Sequence, residues 1–220
     1  MTFDAAPLTL VLPVQRADRA KTRLVAPAGV DRGRLARAMA TDALAAVRGC
    51  AAVTRRIVVT ADDVIGPAAA RAGDHLVPDV GAGLTAAVTA GVARAARLDP
   101  DCAVGVLLVD LPALTPDDLA MALAAAAQHP SAFVPDLDGT GTVLLTARRG
   151  VALRPAFGES SARRHADLDA VRLDLDLPRL RRDVDTAAGL RAAVALGLGP
   201  ATSAVLAGAL LDDAALCDAR

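Results

Sequence analysis

Acidic side chains and one basic loop are the parts of this chain best suited to chemistry. Asp110 ends an apolar run that starts at Val104, and Asp183 and Asp185 stand together further along the chain. The loop after the first apolar run carries four cations within eight residues, namely Arg16, Arg19, Lys21 and Arg23. Carboxylates without neighbouring His or Cys favour a hard cation such as Mg²⁺, and clustered cations favour an anion. Together these groups are typical of phosphoryl or nucleotidyl transfer.

Each feature also has a plainer interpretation. Asp110 could cap backbone amides in a turn, and its own stretch leaves that interpretation level with metal binding. The basic loop could be a solvated charged surface. Gly81 and Gly83 precede a predicted helix, where glycine lets backbone amides approach a ligand, but any tight strand-to-helix turn can use glycine. A site is favoured because all of these features fall at strand or helix ends.

The composition excludes several classes of protein. With 54% hydrophobic and 22% charged residues among 220, the chain is globular rather than disordered. A net charge of −1, three Phe and neither Trp nor Tyr argue against nucleic acid or an anionic membrane as partner. Cys50, Cys102 and Cys217 have no zinc-ligand or disulfide spacing, which favours a reducing compartment. No apolar run is long enough for a membrane span, so a cytoplasmic protein is expected.

Two residue types occur only once. Lys21 is the only lysine and Glu159 the only glutamate, and the chain has no Asn. Compositional drift toward Arg, Asp and Ala would produce this pattern, so a position that resists the drift is a candidate for specific chemistry. Two single residues do not exclude survival by chance.

Apolar runs that alternate with helical patterns predict a single α/β domain over residues 1–220, with a doubly wound, mostly parallel sheet. Strands are predicted at 8–14 (ending at Pro13), 55–60, 73–78, 104–110, 131–135, 143–146 and 170–175. Helices are predicted at 31–48, 63–71, 85–98, 116–128, 157–165, 187–195 and 200–213. Thr115 and Pro116 form a helix start, and Ser160 or Ser161 could cap a later helix or leave its amino end for an anion. Asp110 is expected at the carboxyl end of a central strand, where ligands of such sheets bind.

Five motifs occur in a fixed order. They are Leu12-Pro13-Val14 with Lys21-Thr22-Arg23, residues 110–114, residues 139–142, Phe157-Gly158-x-x-Ser161-x-x-x-His165, and residues 183–186. From about Leu8 to Gly199 the chain resembles the guanylyltransferases of coenzyme F420 biosynthesis, which act on 2-phospho-L-lactate or phosphoenolpyruvate. The resemblance implies a nucleotidyltransferase fold related to the glycosyltransferase A fold. It also implies a reaction that joins GTP to a phosphorylated three-carbon acid and releases pyrophosphate.

The same resemblance implies a role for each matching residue. The residues implied to contact the nucleotide are Pro13, Val14, Lys21, Arg23, Gly81 and Gly83. Those implied to act in catalysis are Lys21, Arg23 and Asp110. Those implied to hold Mg²⁺ are Asp110 and Asp183, with Asp185 as an alternative or additional ligand. Those implied to bind the acid are Thr142, Gly158 and Ser161, while Glu159 could add a metal or water contact or be only a first-turn acid.

Two other functions stay open. One is another nucleotidyltransferase, for a molybdenum cofactor or a sugar phosphate, although the Gly-rich first loop of those enzymes is missing. The other is a non-catalytic nucleotide-binding domain on the same fold. The sequence does not choose among phosphoenolpyruvate, 2-phospho-L-lactate and 3-phosphoglycerate. A downstream transferase of the coenzyme F420 pathway is a further expected partner.

Overall fold

A computed structural model describes residues 8–18 and 24–207. Lys21 and Arg23 lie outside these ranges, as does the predicted last helix beyond Ala207. The strands are β1 (Leu8–Val14), β2 (Val53–Thr60), β3 (His75–Pro78), β4 (Ala103–Leu107), β5 (Ser131–Pro135), β6 (Thr142–Ala147) and β7 (Val171–Arg172). The helices are α1 (Arg32–Gly49), α2 (Ile65–Arg71), α3 (Leu84–Leu98), α4 (Pro116–Ala126), α5 (Ser161–Asp167), α6 (Pro178–Arg181), α7 (Ala187–Leu196) and α8 (Pro200–Ala207).

Seven strands of the described chain form one sheet, in the order β3-β2-β1-β4-β6-β5-β7. Strand β6 is antiparallel to both of its neighbours, and the other strand pairs are parallel. The predicted mostly parallel α/β sheet is therefore confirmed. The chain runs from β1 outward through β2 and β3, then returns to β4 on the other side of β1. This reversal creates a switch point between β1 and β4, where open α/β sheets bind their ligands.

Helices cover both faces of the sheet, as predicted for a doubly wound fold. Helices α1, α2, α4 and α6 contribute to the core on one face, and α3 and α5 to the core on the other. Strand β1 lies between these layers with all of its residues buried, which explains its continuous apolar sequence. Gly91 of α3 lies so close to this strand that a Cβ atom there would overlap Val11 Cγ1. Helix α3 therefore packs directly on the strand that ends at the switch point.

Two helix starts fix segments near that point. Thr115 caps α4 as predicted, with its hydroxyl accepting a hydrogen bond from Asp118 N–H at 3.2 Å and Pro116 following it. Thr186 caps α7 in the same way, accepting from Gly189 N–H at 3.1 Å. Each cap fixes the point at which a loop from the sheet edge turns back into a helix.

The central strand is shorter than predicted. Strand β4 ends at Leu107, so the prediction that Asp110 ends this strand is wrong, and Asp110 lies in the loop that follows. Val109 and Leu111 remain buried in that loop. An apolar run does not distinguish a buried strand from a buried loop, which is why the sequence extended the strand too far.

The strand predicted at 170–175 is reduced to Val171–Arg172. Leu173 N–H still donates to the Phe133 carbonyl at 2.9 Å, but the ladder stops there. The Arg172 guanidinium pairs with Asp174 at 2.9 Å on the solvent side. Alternation of apolar and polar residues therefore overestimated this edge strand.

Helix α5 begins at Ser161, later than its predicted start near Phe157. Gly158 and Ser160 have φ angles of 112° and 55°, which lie outside the right-handed helical region. Ser160 occupies the position before the helix, but its side chain makes no capping hydrogen bond. Ser161 is already the first helical residue, so of the two alternatives for these serines, capping of the helix is not the one found.

The last described helix is tied to α1 and to the loop after β4. Buried Asp42 of α1 accepts hydrogen bonds from Ala201 and Thr202 N–H at 2.9 and 2.8 Å, and so caps α8. Gly199 N–H donates to the Pro112 carbonyl at 2.8 Å. A Cβ atom on Gly199 would overlap the Asp42 carboxylate, so glycine is needed for this close approach. Segments distant in sequence thus pack behind the loop that carries Asp110.

Helix α7 joins a third, smaller core. Its Leu190 and Ala193 pack with Leu35 and Met39 of α1.

Within the described ranges, no single helix is long and apolar enough to cross a membrane. Helices α7 and α8 meet that length and composition only as a pair bent by 118°.

Candidate active site

One cleft opens at the switch point of the sheet. Strands β1 and β4 are parallel, so their carboxyl ends lie at one edge, and antiparallel β6 brings its amino end to the same edge. Leu108 N–H, just after β4, donates to the Val143 carbonyl at 3.0 Å. The cleft has a volume of about 770 Å³. Residues that the sequence placed at strand and helix ends therefore meet around one cavity.

Three aspartates form a carboxylate cluster in this cleft. Asp110, Asp183 and Asp185 each place one carboxylate oxygen within 4.8 Å of the others. Val184 N–H donates to the Asp110 carbonyl at 3.1 Å, which joins the two segments that carry these side chains. All three side chains are half-buried, and they are the one group of three or more potential metal ligands in the described part of the chain. Three carboxylates without His or Cys suit a hard divalent cation such as Mg²⁺ or Mn²⁺.

A wall of the cleft comes from β6 and α5. Thr142 opens β6, Gly158 precedes α5 and Ser161 is the first residue of α5; these three residues are termed the β6–α5 wall. Thr142 and Ser161 are each only 2% exposed. The φ angle of 112° at Gly158 is one that side chains rarely allow. Ala162 N–H donates to the Thr140 carbonyl at 3.1 Å and fastens α5 to the start of β6.

His165 lies behind this wall and has no exposed surface. Its Nδ1 is 2.9 Å from the Thr142 hydroxyl, and its Nε2 accepts a hydrogen bond from Ala156 N–H at 2.9 Å. Burial, with a smaller contribution from the charge of Arg164, lowers the pKa of His165 to about 4. The imidazole is therefore neutral at about pH 7. The sequence showed His165 as part of a motif but assigned it no role.

Asp136 shapes the turn that leads into β6. Its two carboxylate oxygens accept hydrogen bonds from Thr140 N–H at 3.0 Å and Gly141 N–H at 2.8 Å. Asp136 also lines the cleft. Because the carboxylate holds two successive backbone amides, it determines where Thr142 begins the strand.

A second wall comes from the ends of β1 and the turn before α3. Pro13, Val14, Gly81 and Gly83, termed the β1–α3 wall, border a smaller cavity of about 350 Å³. Pro13 and Val14 line the larger cleft as well, so the two cavities adjoin. Gly81 and Gly83 are exposed and have φ angles of 76° and 95°. Asp79 stabilises this turn by accepting a hydrogen bond from Gly81 N–H at 2.9 Å.

Asp62 anchors the loop that follows β1. Its carboxylate accepts hydrogen bonds from Ala17 N–H at 3.1 Å and from Val64 and Ile65 N–H at 3.0 Å. Arg37, which lines the cleft, donates to the same carboxylate through Nε at 3.0 Å. Burial alone would raise the pKa of Asp62, but these hydrogen bonds outweigh it and lower the pKa below its ordinary value. A charged carboxylate therefore holds the first residues of the basic loop.

The structure brings most of the predicted site residues together. Those that line the larger cleft are Pro13, Val14, Asp110, Thr142, Gly158, Ser161, Asp183 and Asp185. Gly81 and Gly83 border the smaller cavity instead. Lys21 and Arg23 lie outside the described residues, so their roles stay predictions. Glu159 lines the larger cleft, and its carbonyl accepts a hydrogen bond from Arg164. The sequence did not predict the cleft residues Gln15, Arg37 and Asp136.

Known proteins resemble the chain over most of its length. Residues 34–182 match the family of the MobA-like NTP transferase domain. A phosphoenolpyruvate guanylyltransferase from Streptosporangium roseum is 47% identical over 199 residues, which covers 90% of this chain and 90% of that protein. One from Streptomyces coelicolor is 49% identical over 209 residues, which covers 92% of this chain and 97% of that protein.

A solved structure agrees at the level of the fold. The crystal structure of Rv0371c from Mycobacterium tuberculosis H37Rv in complex with manganese aligns with a TM-score of 0.51 at 19% identity. The alignment covers 84% of this chain and 96% of that one. The resemblance seen in five ordered motifs is confirmed by these relatives: the chain belongs to the phosphoenolpyruvate guanylyltransferase family, with the fold of the MobA-like NTP transferase domain.

Proposed function

We propose that this chain transfers the guanylyl group of GTP to the phosphate of phosphoenolpyruvate and releases pyrophosphate. The observation that carries the proposal is the carboxylate cluster of Asp110, Asp183 and Asp185, which shares one cleft with the β6–α5 wall. The names of the curated relatives support GTP and phosphoenolpyruvate as the two substrates.

Each substrate is assigned to one wall. The nucleotide is proposed to lie along the β1–α3 wall, because exposed glycines let a base or ribose approach the backbone without obstruction by side chains. The acid is proposed to lie against the β6–α5 wall, because the hydroxyls of Thr142 and Ser161 suit a small carboxylate. Pro13 and Val14 border both cavities, which supports a continuous path from the base to the carboxylates.

The carboxylate cluster is proposed to hold Mg²⁺. Asp110 and Asp183 are the expected ligands, with Asp185 as an alternative or additional one. A bound cation there would offset negative charge on the triphosphate as pyrophosphate departs. The three carboxylates alone would repel a triphosphate, so charge compensation at this position is needed before the nucleotide can approach.

The transfer requires no protein nucleophile. An oxygen of the phosphoenolpyruvate phosphate attacks the α-phosphorus of GTP, and a new P–O–P linkage forms. The bond from that phosphorus to the bridging oxygen of pyrophosphate breaks, and pyrophosphate leaves with the electron pair. The attacking phosphate is already anionic, so no general base has to deprotonate it. The chain therefore has to align two polyanions and stabilise the leaving group, and Lys21 and Arg23 are proposed for the second task from the sequence.

Several wider expectations accompany this proposal. The acids 2-phospho-L-lactate and 3-phosphoglycerate are expected to be poorer substrates, since the curated relatives are named for phosphoenolpyruvate. The product would pass to a transferase of coenzyme F420 biosynthesis. The chain is proposed to act as one domain because its described strands share one sheet. A cytoplasmic location agrees with Cys50 and Cys102 being free thiols.

A substrate panel tests the function. Purified protein is incubated with GTP or ATP, Mg²⁺ and each of the three acids, and both product mass and pyrophosphate are measured. GTP with phosphoenolpyruvate should give the guanosine diphosphate-linked acid and an equal amount of pyrophosphate. EDTA should abolish turnover, and Mg²⁺ or Mn²⁺ should restore it.

Three results would contradict parts of the proposal. Equal turnover with ATP would remove the assigned base preference. Full turnover in metal-free buffer would remove the role given to the carboxylate cluster. Absence of product with all three acids would overturn the function itself.

A further inference from the structure

The hydrogen bonds of His165 identify which of its ring nitrogens carries the proton. A backbone N–H can only donate, so the contact from Ala156 N–H requires a lone pair on Nε2. A neutral imidazole has one N–H, which must then be on Nδ1. The hydrogen bond of 2.9 Å to Thr142 therefore runs from His165 Nδ1–H to the Thr142 hydroxyl oxygen.

This direction determines what Thr142 can offer to a ligand. A hydroxyl that accepts from His165 keeps its own proton available for another acceptor. The contact with His165 is its only side-chain hydrogen bond among the described residues. Thr142 also lines the cleft, as does Ser161 of the same wall. Had the hydroxyl donated to the imidazole, it would present only lone pairs to the cleft and would repel a carboxylate.

We propose that His165 is a positioning residue, which accepts from Ala156 N–H, donates to Thr142 and thereby directs the Thr142 hydroxyl proton into the cleft as a donor to the carboxylate of the acid substrate. The inference rests on the proposed function, because it requires that an anionic acid occupies the β6–α5 wall. It extends that function by naming the group that makes the wall selective for a carboxylate. A phosphorylated compound without a carboxylate would leave the oriented proton unpaired.

The surroundings of His165 support a fixed, neutral ring. The ring centroid of Phe157 lies 5.0 Å away in an edge-on arrangement, and that of Phe133 lies 5.9 Å away. These contacts pack both aromatic rings against the imidazole and favour the one orientation in which it meets both partners. A protonated ring would have donors on both nitrogens, and one of them would oppose Ala156 N–H. The lowered pKa agrees with the neutral form.

The tautomer can be measured without substrate. Long-range proton–nitrogen spectra of protein with ¹⁵N-labelled histidine distinguish a protonated ring nitrogen from one with a lone pair. The chain has three histidines, and the signals lost in His165→Asn assign this one. We expect Nδ1 to be protonated and Nε2 unprotonated at about pH 7. The opposite tautomer, or a rapid mixture of both, would overturn the inference.

A double-mutant cycle tests whether His165 acts through Thr142. His165→Phe keeps an aromatic ring but removes both hydrogen bonds, and should raise KM for phosphoenolpyruvate about tenfold with little change in KM for GTP. His165→Asn can still donate to Thr142 from its amide, so it should recover most of that loss. In a Thr142→Val background, His165→Phe should raise the same KM less than about twofold. An equal rise in both backgrounds would show that His165 does not act through Thr142.

Thr146 provides a matched control on the same strand. It is buried like Thr142, and its hydroxyl donates to the Ala132 carbonyl at 3.3 Å, away from the cleft. Thr146→Val should therefore leave both KM values unchanged, although it can lower the melting temperature. Should His165→Phe not fold, His165→Asn and the tautomer measurement still decide the question. Failure of the proposed function would appear differently, as absence of guanylyl transfer to phosphoenolpyruvate by the unaltered chain.

Discussion

The two walls of the cleft differ in residue type and in exposure. In the β6–α5 wall, Thr142 and Ser161 are 2% exposed, and His165 behind them is fully buried and hydrogen-bonded through both ring nitrogens. In the β1–α3 wall, Gly81 and Gly83 are exposed turn residues, and Val80 just before them is 85% exposed. The β6–α5 wall thus presents two buried hydroxyl side chains beside Gly158, whereas the exposed part of the β1–α3 wall is the glycine-containing turn before α3.

This difference fits two substrates of unequal size. A three-carbon acid offers few atoms for recognition, so each hydrogen bond to it has to count. In a buried wall that excludes water, a missing hydrogen bond is most costly. A nucleotide offers a base, a ribose and three phosphates, so many weak contacts along an open surface are sufficient. Substitutions in the β6–α5 wall should therefore change KM for the acid alone, and substitutions in the carboxylate cluster should affect turnover of both substrates.

The largest effect on kcat is expected for the carboxylate cluster. Asp110→Asn removes one carboxylate ligand from the cluster and weakens binding of the cation that offsets the negative charge of the transition state, so it should lower kcat by about 10²–10³-fold. Asp138→Asn, an exposed aspartate in the turn before β6, is the matched control and should leave kcat unchanged. Steady-state kinetics with saturating GTP and phosphoenolpyruvate measure both variants. Similar kcat values for the two would remove Asp110 from the site.

The next effect concerns Lys21, which is proposed from the sequence to stabilise the leaving pyrophosphate. Lys21→Ala removes a charge that matters most as pyrophosphate leaves, and should lower kcat by about 10²-fold. Lys21→Arg keeps the charge and should lose less, although the planar guanidinium replaces a point charge. The measurement is kcat with GTP varied at fixed acid. A change confined to KM for the acid would contradict the assignment of Lys21 to the leaving pyrophosphate.

A smaller effect is expected within the β6–α5 wall. Ser161→Ala removes one hydroxyl contact to the carboxylate, and should raise KM for phosphoenolpyruvate about tenfold while KM for GTP stays the same. A thermal melt confirms folding before the kinetics are measured. If the variant weakened GTP binding and left KM for the acid unchanged, the assignment of substrates to walls would be reversed.

The smallest effect is the pH dependence that His165 gives to the free energy of unfolding. Its folded pKa of about 4 lies below the ordinary value of 6.5, so the unfolded chain binds more protons between these values. The neutral imidazole therefore makes its full contribution to the free energy of unfolding above about pH 6.5. This contribution is lost as the pH falls toward 4, and between pH 6.5 and 5 the loss is on the order of 1 kcal/mol. Urea unfolding at several pH values measures it, and His165→Asn should have a flatter profile. Asp62 contributes only at lower pH, since its ordinary value is 3.8.

The order of elements could be predicted because each one is marked locally. Strand β1 is apolar throughout, and α4 begins with Thr115, Pro116 and first-turn acids. The extent of β4 and β7 could not be predicted in the same way. The loop after β4 is as buried as the strand, and β7 pairs with β5 at only two positions although its apolar and polar residues continue to alternate.

The site could be predicted where a residue follows a strand or opens a helix. Asp110 meets the first condition, since it follows the apolar run of β4 at the edge of the sheet where β6 begins. Thr142 and Ser161 were implied as site residues only by the resemblance to a family. Asp62 could not be distinguished from other aspartates, because it holds the Ala17 amide, 45 residues earlier in the chain. Asp136 holds amides only four and five residues later, but aspartate is common in turns and nothing in the sequence related this one to the cleft. The role of His165 depends on the position of Ala156 N–H.

The long-range clamp made by Asp42 has a consequence for synthesis. Asp42 caps α8 across 159 residues of chain, and Asp110 meets Asp183 and Asp185 only through a loop close to that clamp. On the ribosome, β1 to β4 can pair and gain protection from proteases while the later segments are still inside the exit tunnel. Competence for turnover should therefore arise late in translation, after the amino-terminal half has become resistant to proteolysis.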